Sequence, residues 1–219
     1  MLFTILQTVE SYSLIQMACK GGWLMIVLLI LSIVAIYLIG KKYWMIRQAG
    51  KIESNFTNDI KDYVQDGKIK SALTLCAHYN APMARMAEAG LKRIDRSTAE
   101  IQAAMDNAGN KEIADLEKGL PYLATIAGGA PMIGFLGTVM GMVQAFFNMS
   151  KAGNNIDITL LSGGIYTAMI TTVGGLIVGI LAYFGYNFLN AQISGLAAKM
   201  DSMTAEFIDT ISNPQENEQ

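Results

Sequence analysis

The residues of this chain that could do chemistry within an apolar stretch are small and hydroxylated. Gly134, Thr138, Gly141 and Ala145 follow one another at spacings of four, three and four, and Ala168, Thr172, Gly175 and Gly179 repeat the pattern. On a helix that spacing gathers each set on one face. Small faces let backbones approach closely where lipid supplies no hydrophobic drive between helices. Gly137 reads as a further packing position on the first set and Pro131 as a kink. The threonines have two fates. Each hydroxyl can bond a carbonyl of its own helix and be inert, or it can orient water. It cannot exchange a proton at neutral pH, which takes a carboxylate, and the surrounding stretches have none. If protons move here, the titrating group comes from another chain.

Other engines are missing from the sequence. The glycine-rich run Gly128-Gly129-Ala130-Pro131-Met132-Ile133-Gly134 has no following lysine, so it is not a nucleotide phosphate loop. His78 is the single histidine; it supports neither a metal cluster nor a nucleophile–base pair, and it reads as a surface or packing residue. The expectation is a protein that is not an enzyme, with no cofactor and no metal, and with protons as coupling ion.

The elements that carry these residues are apolar helices. Of 219 residues, 52% are hydrophobic and 16% charged, against roughly a quarter charged in a soluble domain. Residues 21–40, 119–150 and 158–198 contain no Asp, Glu, Lys, Arg or His, and each exceeds the roughly 20 residues that cross a bilayer core. The last two, at 1.5 Å per residue, reach about 48 and 60 Å, well beyond a core of about 30 Å. They therefore continue outside the membrane as helices.

Lys41, Lys42, Arg47 and Lys51 follow the first run directly, which places 41–118 in the cytoplasm, the N-terminus outside and the C-terminus inside. Cys19 and Cys76 then lie on opposite sides and form no disulfide framework. Trp23 at one end and Tyr37, Tyr43 and Trp44 at the other read as headgroup anchors. A net charge of −2 gives no footprint for nucleic acid.

The expected organisation runs as follows. Residues 1–20, with Glu10 and no basic start, read as an amphipathic interfacial helix and not a cleavable signal. Residues 21–44 form the first span and 45–118 a helical cytoplasmic region. There Asp66-Gly67 and Asn80-Ala81-Pro82 break the chain, and Leu91, Ile94, Ile101 and Met105 share a stripe. Residues 119–150 are the second span, 151–157 a short periplasmic loop, and 158–190 the third span. The extension 191–213 continues a stripe of Leu189, Ile193, Leu196, Met200, Met203 and Phe207 suited to packing between subunits, and 214–219 is a polar tail.

At its small-residue helices the chain resembles the ExbB/TolQ/MotA proton-channel family. The resemblance is carried by Leu123-Ala124-Thr125-Ile126-Ala127, by Ala130-Pro131 with Gly134-Phe135-Leu136-Gly137-Thr138-Val139-Met140-Gly141, and by Thr171-Thr172-Val173-Gly174-Gly175-Leu176, with Gly67 to Leu91 similar to the cytoplasmic region. It implies an all-α membrane protein of the inner membrane, assembled as an oligomeric, pentameric helical barrel around the helices of a single-span partner of ExbD or TolR type, whose aspartate takes the proton. It also implies that Thr138 and Thr172 are the pore threonines, with Thr171 and Thr167 beside the path. Thr167 aligns where family members carry a glutamate, a departure that puts more of the titration on the partner. Three spans and a loop of this size look like ExbB, energising TonB-dependent uptake with a TonB-like protein, or like TolQ of the Tol-Pal envelope system. A passive structural oligomer, with the threonines as packing, is the reading from a different class.

Overall fold

The structure, a computed structural model, describes residues 22–51, 55–152 and 158–212. The expected interfacial helix at 1–20, Cys19, most of the 151–157 loop and the 214–219 tail lie outside the described residues. Every regular element among those described is an α-helix: α1 Trp23–Ala49, α2 Phe56–Gln65, α3 Ile69–His78, α4 Pro82–Leu91, α5 Thr98–Glu117, α6 Leu120–Ala152 and α7 Ile158–Ser212. Three helices are long and apolar enough to cross a membrane, in Trp23–Ala49, Thr98–Lys151 and Ser162–Ser212. The described residues divide into two compact units, 22–39 with 121–186 and 40–120 with 187–212.

The first unit holds most of the charge-free segments. Along α1, Leu28 and Ala35 are buried while Ile26, Leu29, Ile30, Ile33 and Ile36 are exposed, as expected of a helix with one protein face and one lipid face. Its protein face meets α7 at small residues. A Cβ on Gly174 would stand 3.1 Å from Met25 Sδ, and one on Gly185 would strike the Ile39 side chain.

The second unit is built as a water-soluble domain is. Phe56 and Ile60, one turn apart on α2, are buried, as are Ala72 and Cys76 on α3. Helix α2 stops at Gly67, whose φ of +70° is open to glycine at little cost. There Gly67 N–H donates to Val64 O and Lys68 N–H to Tyr63 O, which satisfies two terminal carbonyls. Pro82 opens α4 after an extended Ala81, and Ser97 caps α5 by accepting from Glu100 N–H.

Two expectations change here. Leu91 and Ile101 do not sit on one helix: the chain turns at 92–97, with Ile94 in the turn, so α4 and α5 are separate and pack against each other. The capping pair Ser97 and Glu100 marks that break. The stripe from Leu189 to Phe207 is buried inside the chain, not left for a neighbouring subunit. A Cβ on Gly90 would meet Met105 at 2.7 Å and Phe207 at 3.3 Å, and one on Gly109 would meet Met86 and Met200. The large residues of α4, α5 and α7 thus form one core, and an ion pair from Lys61 of α2 to Glu206 of α7, at 2.7 Å, lies in the same unit.

Candidate functional site

Helices α6 and α7 pair through the two small-residue faces, antiparallel and in register. Gly141 lies against Ala168 and Gly164, since a Cβ on Gly141 would stand 2.7 Å from Ala168 Cβ and 3.1 Å from Gly164 O. One turn on, Gly137 abuts the Thr171 side chain, and Gly134 abuts the α7 backbone, where a Cβ would lie 2.9 Å from Thr171 O and 3.2 Å from Gly175 Cα. From the other side a Cβ on Gly175 would lie 2.6 Å from Ala130 O. Gly179 closes the series against the Pro131 ring, with Ala127 O 3.0 Å from where its Cβ would be.

The geometry therefore brings together Gly134, Gly137, Gly141, Ala168, Gly175 and Gly179, and adds Ala130, Ala145 and Gly164 to them. Pro131 lies within a helix that runs unbroken from Leu120 to Ala152. Its missing N–H frees the Ala127 carbonyl, the same oxygen that faces Gly179.

The hydroxyls occupy one level of this hairpin. Thr172 Oγ1 donates across the helix pair to Gly134 O at 2.9 Å. Thr138 Oγ1 donates to Phe135 O of its own helix at 2.6 Å. Because Gly137 abuts Thr171, Thr138 and Thr172 fall at nearly the same depth. Both are half-buried. Their protons are committed to carbonyls, so each oxygen keeps acceptor capacity for a water or an acid. Thr171 is 2% exposed, closed in against Gly137, and donates to Ala168 O at 2.7 Å. Thr167 is half-buried one turn earlier. Among the described residues no buried side-chain polar atom lacks a partner, and no group of His, Cys, Asp and Glu could hold a metal.

Lys42 is a residue whose role the sequence conceals. It is 7% exposed, and its Nζ donates to Leu116 O at 3.0 Å and Asp115 O at 3.3 Å. A cation thus caps the C-terminal carbonyls of α5. Two residues later Gly119 turns the chain with φ +97° into α6. The charge of Lys42 and its position in the sequence speak only to the side of the membrane. The second cysteine is a free, buried thiol. Cys76 is 3% exposed, and burial, reinforced by the Glu88 carboxylate, pushes its thiol up to about 12. Such a thiol is inert. His78 is exposed and stacks edge-on against Tyr79.

Residues 78–202 match the MotA/TolQ/ExbB proton channel family. A putative biopolymer transport protein, ExbB-like 1, of Synechocystis is 30% identical over 188 residues, which is 85% of this chain and 73% of that protein. The Tol-Pal system protein TolQ of Haemophilus influenzae is 36% identical over 104 residues, 48% of this chain and 45% of its own. The biopolymer transport protein ExbB of Xanthomonas campestris is 33% identical over 109 residues, 50% and 43%. With three helices able to cross a membrane, a hydroxyl-bearing hairpin of small residues and these matches, the chain belongs to the MotA/TolQ/ExbB proton channel family.

Proposed function

We propose that this chain is the ExbB-type subunit of an inner-membrane motor driven by the proton-motive force, assembled as a pentamer around a single-span, ExbD-like partner and energising TonB-dependent transport across the outer membrane. One observation carries the reading: two half-buried threonine hydroxyls lie at one depth of a hairpin whose segments 119–150 and 158–198 contain no Asp, Glu, Lys, Arg or His. Such a hairpin can hold water beside a proton carrier without being the carrier. The partner's aspartate supplies that chemistry. Thr138 and Thr172 accept hydrogen bonds from water or from the protonated acid, Thr167 extends the polar line by one turn, and Thr171 holds the hairpin in register.

Coreconstitution in vesicles tests this. The chain alone should pass no protons above the lipid background, the pair should pass them, and an Asp→Asn change in the partner's span should stop the flux. Flux through the chain alone would overturn the reading. The orientation proposed with it has the 45–118 region in the cytoplasm. Native Cys76 is too buried to report sidedness. A single exposed cysteine at Ala77→Cys, with Cys19 and Cys76 both changed to Ala, should resist an impermeant maleimide in intact spheroplasts, and labelling there would reverse the topology.

The TolQ reading rests on the similarity to the Haemophilus protein. Complementation decides between them: restored TonB-dependent uptake without restored envelope integrity is the ExbB outcome.

A further inference from the structure

The second unit contains an open groove of 580 Å³ between α1 and α7 that the proton path leaves unused. Its position along both helices is set by sequence. On α1 it begins at Tyr43, three residues after the charge-free run, and on α7 at Phe188, within the long charge-free run. The two rings stand 6.1 Å apart between centroids, at the level where aromatic side chains mark the edge of a bilayer.

One to three turns further out the lining changes character. Arg47, Lys51 and Lys199 enter it, and among the described residues no Asp or Glu lines it. All three cations are exposed, and among the described residues none of them makes an ion pair. The floor is apolar, with Ile46, Leu189 and Leu196 beneath the charges. It is kept open by two glycines: a Cβ on Gly195 would meet nothing within 4 Å, and one on Gly50 only Ile46 O at 3.6 Å.

Aromatic rings at the bilayer edge, an apolar floor and three unpaired cations just beyond match one ligand class. We propose that this groove binds the head group of an anionic phospholipid, its phosphate beside Arg47, Lys51 and Lys199 and the start of its chains against Tyr43 and Phe188. A juxtamembrane basic cluster attracts anionic lipid through each cation it holds, and an arginine adds paired donors that fit phosphate oxygens. The leaflet is the one that the 45–118 region faces, the cytoplasmic leaflet in the orientation proposed above. The binding itself does not depend on that orientation or on proton conduction.

Native mass spectrometry of the purified full chain in detergent, titrated with phosphatidylglycerol and separately with phosphatidylcholine of the same acyl chains, reads the preference directly. Phosphatidylglycerol should bind about tenfold or more tightly. Arg47→Gln, Lys51→Gln and Lys199→Gln combined should bring the two lipids level. Gly195→Phe keeps all three cations but fills the groove, and should also lose the bound phosphatidylglycerol. The two variants act on charge and on space, so a folding fault in one cannot mimic both. Equal binding of the two lipids by the native chain, or unchanged phosphatidylglycerol binding in both variants, overturns the proposal. Inorganic phosphate at millimolar concentration should leave the lipid in place; displacement by it would assign the groove to the free ion and overturn the lipid site.

Discussion

The two units of this molecule are both made of helices and are held together by opposite means. Between α6 and α7 the contacts are glycine to backbone: Gly134 against Thr171 O and Gly175, Gly175 against Ala130 O, Gly141 against Ala168. In the second unit the contacts are large and apolar, with Met86, Leu91, Ile101, Met105, Ile193 and Met200 all 2% exposed or less. The solvent explains the contrast. A segment that leaves water gains about 25 cal/mol per Å² of apolar surface buried, so large side chains stabilise the second unit. Segments that remain in lipid gain nothing of that kind, and their helices associate through close backbone packing and interhelical hydrogen bonds. The hydrogen bond from Thr172 to Gly134 O belongs to that second mode. The hydroxyls proposed to serve protons are thus placed by the same close approach that holds the hairpin together.

The contrast can be broken most severely at Gly175. In Gly175→Leu the Cβ alone would lie 2.6 Å from Ala130 O, a backbone atom with no freedom to move aside. The hairpin should fail, and folded protein should be lost from size-exclusion profiles. The control is Gly128→Leu on the same helix pair, where a Cβ meets nothing within 4 Å; it should elute as the native chain does.

In the second unit the ordering should invert, with deletion worse than insertion. Met105→Ala removes a fully buried side chain and should cost about 2–5 kcal/mol in denaturant unfolding. Gly90→Ala pushes on that same methionine and, at 3.3 Å, on the Phe207 ring and should cost about 1–3 kcal/mol. A larger loss from Gly90→Ala than from Met105→Ala would dissolve the distinction drawn between the units.

Lys42→Met keeps the apolar stem but removes the cap on Leu116 and Asp115, and should destabilise by about 1 kcal/mol. The one effect that vanishes at neutral pH concerns a buried thiol. The Cys76 thiol sits at about 12 in the folded chain, above about 8.5 for an unfolded cysteine. The folded state holds that proton more tightly, so its contribution is complete below about pH 8.5 and is lost as pH rises towards 12. Cys76→Ala should flatten that alkaline part of the stability curve, and maleimide should reach native Cys76 only on unfolding.

Sequence periodicity made the three apolar helices legible because lipid demands uninterrupted apolar length, a signal that composition alone carries. The small-residue faces were legible too, since spacings of four and three survive any detail of packing. What those faces meet was not. Nothing in Leu189, Ile193, Met200 and Phe207 says whether their stripe turns to another subunit or back onto α4 and α5. That depends on the turn at 92–97 and on the breaks at Gly67 and Gly119, which together fold the loop back on itself. Lys42 escaped for a related reason. A lysine beside a span satisfies the positive-inside pattern equally well in water or on a helix end, and only three-dimensional proximity to Leu116 O separates the two. Of the two fates the sequence offers a threonine, a bond to its own helix or a bond to water, Thr172 takes neither for its proton, because that hydroxyl bonds the facing helix.

That hydrogen bond sharpens the decisive measurement. Thr172→Ser keeps a hydroxyl, whereas Thr172→Val keeps the volume and removes both the donor to Gly134 O and the acceptor offered to water. Losing the interhelical bond alone should cost only about 0.6 kcal/mol, too little to unfold the hairpin. Proton flux in vesicles is measured for both variants with the single-span partner present, and complex assembly is quantified on the same samples. The expected result is native assembly for both, flux retained in Thr172→Ser and lost in Thr172→Val. Native flux in Thr172→Val with the complex intact would contradict the account and leave Thr172 a packing residue.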